Sequence, residues 1–290
     1  MKPRTIAPQQ RITSTILGVD FTSAPNPRKS ITVARAALTG VQLEVTAIDQ
    51  LTSLAEFDVL LQTPGPWIGG FDFPFGLPRE LVATLGWPQE WPQMVRHVQA
   101  LGKDAFKAAL NAVRESRPMG SRYLPRRGDA AAGSSSPMKL VNPPVGLMFF
   151  EGAPRLLAAG VCVLPCAPSD DSRIALEAYP AYLARKITRD SYKKDGKEGA
   201  RPDRREARIE IIEAMTSAHA SAAELEIALP ATLKRLCIDD GSGDALDAVL
   251  CAVQAAMACV HSAKAGSNAY SIPADADSLE GWIVSIAAFG

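Results

Sequence analysis

The stretch IGGFDFPFGLP, residues 68–78, has the pattern of a buried strand that runs into a turn, with one residue out of place. Ile68, Phe71 and Phe73 are apolar, and Asp72 stands among them. An ionised carboxylate in apolar surroundings is destabilising unless it is paired with a cation or binds a metal. Asp72 therefore indicates either a side chain that caps the turn or a functional site.

The same pattern occurs near the start of the chain, where the apolar run STILGVDF, residues 14–21, contains Asp20. ITVARAAL and VQLEVTAI then read as strands, and SLAEFDVLLQ has a helical period. The predicted order is β-β-β-α-β, with the first three strands antiparallel. If the first and fourth strands are parallel neighbours, about 4.8 Å apart, Asp20 and Asp72 lie at the same end of the sheet.

A second pair of acids, Asp244 and Asp247, begins the helix predicted from GDALDAVLCA, residues 243–252. Positions i and i+3 share one helix face, so both carboxylates can point the same way. Taken locally, Asp244 is an N-cap and Asp247 a first-turn acid that the helix dipole favours by about 0.3–1 kcal/mol. If the helix packs over the strand ends, the acids converge and need a cation. Oxygen ligands of this kind favour Mg²⁺ or Mn²⁺.

These features resemble the RNase H-like superfamily, and more narrowly its uncharacterised group of predicted RNase H-like nucleases. The resemblance rests on the element order and on four motifs, ILGVDF, GGFDFPFGLP, ALEAYP and GDALDAVLCA. It implies an α/β fold, with a mixed five-stranded sheet flanked by helices. We expect a single domain over residues 14–290, with a helical and loop insertion after the fourth strand, at residues 79–150.

The resemblance also implies roles for the acids. Asp20 corresponds to the first-strand aspartate that bridges two metal ions, and Asp72 to the fourth-strand acid. Asp247, with Asp244, corresponds to the acids of the last helix. Glu177 matches a recurrent acid of the narrower group, although it could instead pair with a basic residue of the following helix, Arg185 or Lys186. The implied catalytic residues are Asp20, Asp72 and Asp247, and the implied metal ligands are these three with Asp244 and Glu177.

Two basic segments are candidates for substrate binding in a chain whose formal net charge is zero. Residues 117–144 lack an apolar period and indicate a long mobile loop, which contains Arg126 and Arg127. Residues 193–208 form a basic run that begins with Lys193 and Lys194. We expect these four side chains to contact a phosphate backbone; the alternative is a solvated surface.

Three functions are compatible with these patterns. The first is a nuclease that hydrolyses phosphodiester bonds by a two-metal-ion mechanism, with DNA, RNA, a branched junction or a small nucleotide as substrate. The second is a phosphotransferase, since GVDFTSAP resembles the first phosphate loop of sugar kinases and actin-like ATPases. However, the chain is short for their duplicated fold and lacks their second phosphate loop. The third is a non-catalytic protein that binds nucleic acid or a nucleotide.

Composition favours a soluble protein of the cytoplasm. The five cysteines include no CxxC pair and are expected to be reduced thiols. The N-terminal segment lacks the apolar region of a secretory signal, and AVLCAVQAAMACV is too short and interrupted to span a bilayer. Zero net charge provides no general attraction to nucleic acid or anionic lipid. We therefore expect no membrane partner, and the sequence does not indicate an oligomeric state.

Overall fold

A mostly parallel sheet forms the centre of the computed structural model, which describes residues 13–194, 202–217, 225–266 and 269–286. Over these residues the sheet has seven strands: β1 (Thr13–Asp20), β2 (Ile31–Thr39), β3 (Gln42–Leu51), β4 (Trp67–Phe71), β5 (Cys162–Leu164), β6 (Arg173–Glu177) and β7 (Glu226–Ala228). Their order across the sheet is β5-β6-β4-β1-β2-β3-β7. β2 is antiparallel to both of its neighbours, and the remaining pairs are parallel.

Helices cover both faces of the sheet. They are α1 (Leu54–Leu61), α2 (Arg79–Thr84), α3 (Trp91–Leu101), α4 (Lys103–Ser116), α5 (Arg127–Ala132), α6 (Val145–Ala159), α7 (Pro180–Ile187), α8 (Pro202–Thr216), α9 (Ala231–Asp239) and α10 (Asp244–Lys264). Side chains alternate between faces along a strand, so Leu17 and Val19 pack into an aromatic core with α1, α3 and α6, whereas Ile16 packs into a core built around α10.

The α/β class, the antiparallel order of β1–β3 and the parallel pairing of β1 with β4 are confirmed. The prediction of five strands is wrong, because β5 and β7 extend the sheet at its two edges. The stretch GVCVLP has the pattern of a short strand and contains β5, whereas β7 has three residues, too few to give a recognisable alternation of apolar and polar positions. β7 also lies in a stretch whose sequence pattern is helical.

The predicted insertion at residues 79–150 contains α2 to α5 and the beginning of α6. Part of it differs from the expected long loop, since residues 117–144 contain α5, and Leu124 and Met138 are buried in the aromatic core. Few side chains of this segment are buried in that core, and they are far apart in sequence, so its apolar residues show no helical or strand period.

The backbone of α10 lies directly on β1 and β4 at two glycines. Gly18 and Gly70 are paired in the parallel register of these strands. A Cβ atom at Gly18 would lie 2.0 Å from the carbonyl oxygen of Ala248, and one at Gly70 would lie 2.4 Å from that of Cys251. The strands therefore need glycine here, because any side chain would push the helix away from the sheet.

We expect Gly18→Ala to destabilise the protein by at least about 1–3 kcal/mol, the usual cost of overpacking a closed interior. The measurement is chemical denaturation of wild type and variant. Gly128→Ala is the matched control, because a Cβ atom there would come no closer than 3.6 Å to its neighbours. Equal stabilities of the two variants would contradict the close helix–strand contact.

α10 is long and apolar enough to cross a bilayer, judged by length and composition alone, but 89% of its most apolar window is buried inside the protein. Burial of this kind is typical of the core helix of a soluble protein. The five cysteines are free, and four of them are buried. Both observations agree with the expectation of a soluble protein that contains reduced thiols.

Candidate metal centre

Two aspartates leave the sheet on the same face and at the same end. Asp20 is the last residue of β1, and Asp72 directly follows β4. The Asp72 amide donates a hydrogen bond of 2.9 Å to the Val19 carbonyl, which continues the pairing of the two strands. Each aspartate stands two residues after a glycine that contacts α10, so by strand alternation both carboxylates face that helix.

α10 supplies the third carboxylate from its first turn. Its N-cap, Gly243, has a left-handed backbone with φ of 83°, and Asp247 lies completely buried one turn later. One carboxylate oxygen from each of Asp20, Asp72 and Asp247 lies within 4.8 Å of the other two. The sequence prediction that these three residues meet is therefore supported by their positions.

Burial and nearby negative charges raise the pKa values of Asp20 and Asp72. The pKa of Asp20 is well above its usual range, mainly because of burial and then because of the nearby Asp244 charge. Burial also raises the pKa of Asp72 to about 6, with Lys193 opposing the shift and Glu177 adding to it. A site that resists holding several negative charges is one that a divalent cation would stabilise.

The raised pKa of Asp72 predicts a pH dependence for the metal-free protein. Between pH 3.8, the ordinary pKa of an aspartate, and about pH 6, Asp72 is deprotonated in the unfolded chain and protonated in the folded chain. Rising pH therefore favours unfolding over this window. We expect the stability of wild type relative to Asp72→Asn, measured by denaturation in metal-free buffers, to fall from pH 4 to pH 6. A constant difference would contradict the shift.

Asp244 lies beside the three aspartates but outside their 4.8 Å group. Its charge raises the pKa values of Asp20 and Asp72, which places it near both. It is not the N-cap of α10. Gly243 occupies that position, and the Asp240 carboxylate accepts a hydrogen bond of 2.8 Å from the Ala245 amide.

Glu177, at the end of β6, is held by Arg126 and not by Arg185 or Lys186. Its carboxylate accepts hydrogen bonds of 2.5 and 2.8 Å from that guanidinium and one of 2.9 Å from the Phe75 amide. Both oxygens of Glu177 are therefore engaged, and Oε2 also fixes the turn that follows Asp72. Glu177 thus lies near the candidate metal centre as a support, outside the group of three converging carboxylates.

The expectation that Arg126 contacts a substrate backbone is not supported by its position. Its side chain is 3% exposed and forms ion pairs with Asp129 and Glu177. Arg127, next in the chain, is 55% exposed and pairs with Asp275 at 2.7 Å. The local sequence around Arg126 lacks an apolar period and so predicts a surface position. Its partners, Asp129 on α5 and Glu177 on β6, bury it instead.

Lys193 reaches the metal centre, where its ammonium forms an ion pair with the Asp247 carboxylate. The hydroxyl of Tyr192 donates a hydrogen bond of 2.7 Å to the other oxygen of that carboxylate. Lys194 is exposed. Of the remaining basic run, Arg204 and Arg208 donate to backbone carbonyls and Arg205 pairs with Asp239. Lys197 and Arg201 lie outside the described residues.

Sequence reasoning missed Tyr192 and Lys29 as residues of this region. Lys29 is exposed in the β1–β2 loop, and its charge opposes the rise in the pKa of Asp20 and Asp244. A usable signal was present for the aspartates in the repeated pattern Gly-x-Asp-Phe, at Gly18–Phe21 and Gly70–Phe73. Nothing local marks Tyr192 or Lys29, because each is brought in by a loop.

A family model described as a protein of unknown function, DUF429, matches residues 18–278. The chain belongs to the DUF429 family. The match includes the three aspartates of this DUF429 protein as well as Lys193 and Glu177. The searches of curated proteins and of solved structures found no match.

The donor set of this DUF429 protein fits a divalent cation. Three carboxylates converge, and in the described part of the chain they are the one such group of His, Cys, Asp and Glu side chains. Oxygen-only donors match Mg²⁺ or Mn²⁺ better than zinc, which favours nitrogen and sulfur ligands. A cation, the Lys193 ammonium, already contacts one of the three carboxylates.

Proposed function

We propose that the protein is a metal-dependent nuclease with an RNase H-like fold, which hydrolyses phosphodiester bonds of nucleic acid with the help of Mg²⁺ or Mn²⁺. The observation that carries the proposal is the convergence of Asp20, Asp72 and Asp247 within 4.8 Å. Their origin on two adjacent parallel strands and on the last long helix is the arrangement that the resemblance to predicted RNase H-like nucleases implies.

The order of strands supports the same assignment. An antiparallel β1–β3 unit is followed by α1, and then by β4 beside β1. β6 then pairs parallel with β4 and ends at Glu177. On this proposal β5 and β7 are edge additions to a five-stranded core. Residues 79–150 are an insertion into that core.

Asp20, Asp72 and Asp247 would hold the metal ions, with Asp244 beside them. Bound in pairs, such ions supply a water of lowered pKa and stabilise the leaving oxygen of a phosphodiester. The chain itself fixes the ligands, because the crossing of α10 over Gly18 and Gly70 sets the separation of the strand acids from Asp247. Lys29 supplies exposed positive charge near Asp20, suited to a substrate phosphate.

The test is a cleavage assay with fluorescent single-stranded and double-stranded DNA, RNA, an RNA–DNA hybrid and a four-way junction. We expect cleavage with Mg²⁺ or Mn²⁺ and none with EDTA. Ca²⁺ should support little turnover, because its looser coordination positions a water poorly. Lack of metal-dependent cleavage across the panel would contradict the proposal.

The ion pair between Lys193 and Asp247 favours one second candidate, a non-catalytic protein that binds nucleic acid or a nucleotide. In that case the ammonium is the permanent partner of the buried carboxylate, and the acids never bind metal. Binding of the same substrates in EDTA, without cleavage in Mg²⁺, would favour this candidate. For either function we propose a soluble protein of the cytoplasm.

A further inference from the structure

Tyr192 and Lys193 together engage both oxygens of one carboxylate in the metal centre. The Tyr192 hydroxyl donates to Asp247 Oδ1 at 2.7 Å, and the Lys193 ammonium pairs with Oδ2. Asp247 is completely buried, so it needs a counter-charge to remain ionised in the folded protein. In the protein without metal, Lys193 provides that charge.

The backbone behind these two side chains is anchored. Arg208 donates to the Tyr192 carbonyl at 2.9 Å, and Arg204 donates to the Lys193 carbonyl at 2.7 Å. The aliphatic stem of Lys193 lies against Gly243, where a Cβ atom would come within 2.8 Å of the lysine Cγ. Because Gly243 has no side chain, there is room at the start of α10 for Lys193 to reach Asp247.

The Lys193 side chain is 32% exposed, whereas the carboxylate it contacts is fully buried. Its side chain therefore reaches from the protein surface to the acids. Its charge acts on the other acids too, since it opposes the rise in the pKa values of Asp20, Asp72 and Asp244. The charge of Lys193 thus acts on the whole group of acids.

We propose that Lys193 is an exchangeable counter-ion: its ammonium occupies Asp247 in the metal-free protein and leaves when a divalent cation binds. The second step, departure of the ammonium when a cation binds, rests on the proposed metal centre. An ammonium and a divalent cation at the same carboxylate repel each other and compete for its negative charge, so each weakens the binding of the other. The lysine thereby sets the metal affinity of the site.

The experiment is a calorimetric titration of the full-length protein with Mn²⁺ alone, at low ionic strength. We expect Lys193→Met to bind Mn²⁺ about tenfold more tightly than wild type. That gain corresponds to a wild-type site that is free of the lysine about one-tenth of the time. Lys194→Met is the matched control, because it removes the same charge from the next, exposed residue, and it should change the affinity much less.

Melting in EDTA gives a second readout. Lys193→Met should melt at a lower temperature than wild type, because Asp247 is left buried without its counter-charge. Adding Asp247→Asn to that variant should recover most of the loss. Should Lys193→Met not fold, Lys193→Gln tests the same exchange with a polar side chain of similar length.

The outcomes separate this inference from the proposed function. If wild type binds Mn²⁺ and Lys193→Met binds it no more tightly, the inference is wrong and the nuclease proposal stands. If Lys193→Met binds Mn²⁺ more tightly but neither protein cleaves any substrate, the inference stands and the nuclease proposal fails. If neither protein binds Mn²⁺, both are wrong.

Discussion

Replacing Asp72 by Asn is expected to abolish metal-dependent cleavage while leaving the metal-free protein as stable as wild type, or more stable by about 1 kcal/mol. The substitution keeps the shape of the side chain and removes one of several repelling charges. Asp72 is a partly buried acid whose pKa is raised to about 6 by desolvation and by nearby negative charges, so neutralising it relieves both in the folded state. A functional carboxylate is thus maintained at a cost in stability.

The same variant should lose its response to metal. Saturating Mg²⁺ should stabilise wild type by about 2.7 kcal/mol at a hundredfold excess over the dissociation constant. Asp72→Asn should lose most of this gain, because it lacks one of the three ligand carboxylates. Thermal melts in EDTA and in excess Mg²⁺ provide the measurement. Asp104→Asn is the matched control, since Asp104 is 96% exposed on α4.

The opposite pattern would identify Asp72 as a structural side chain. If Asp72 only caps the turn that follows β4, metal has no effect on any protein in the series. Asp72→Ala then melts lower in EDTA, with a loss of about 1 kcal/mol. That result, together with an unchanged wild-type melting temperature in Mg²⁺, would require the nuclease proposal to be abandoned.

Arg126→Met is expected to cause the largest loss of stability, about 3–5 kcal/mol, because it leaves two buried carboxylates without their cation. The guanidinium of Arg126 donates to Asp129 at 2.8 and 3.0 Å and to Glu177 at 2.5 and 2.8 Å. Its remaining hydrogen bond, also 2.8 Å, goes to the Glu280 carbonyl. All five N–H groups of the side chain are therefore satisfied in the interior.

Arg127→Met is a close control for this loss, because it removes the same charge one residue further along the chain. Arg127 is 55% exposed, and an exposed ion pair contributes only about 0–1 kcal/mol. Urea denaturation of both variants compares the two positions. Adding Glu177→Gln to Arg126→Met should recover part of the loss. If the two single variants are equally stable, the ion pairs of Arg126 with Asp129 and Glu177 do not form in solution as described.

The sequence was most informative where a charged residue interrupts an apolar run. Asp20 and Asp72 stand out for that reason, and the pairing of β1 with β4 follows from the order of the elements. The strand glycines carry further information, since Gly18 and Gly70 mark where α10 lies on the sheet. Residues with a local signal were thus placed correctly.

Residues whose environment is created by distant parts of the chain could not be placed. Arg126 has the sequence surroundings of a surface loop, and it is buried because Glu177 comes to it from the end of β6. Lys193 belongs to a basic run that is typical of solvated surface, yet its ammonium enters the metal centre. Neither position follows from periodicity, because both depend on pairing between segments far apart in sequence.

The position of α10 has a consequence for protein synthesis. Asp20 and Asp72 leave the ribosome long before Asp247, which belongs to α10. Contacts between such distant segments form late, because the intervening chain must first be ordered. A nascent or prematurely terminated chain therefore has the strand acids without the helix that completes their group. If the site cleaves nucleic acid, the growing polypeptide cannot cut the messenger it is translated from until α10 has been made.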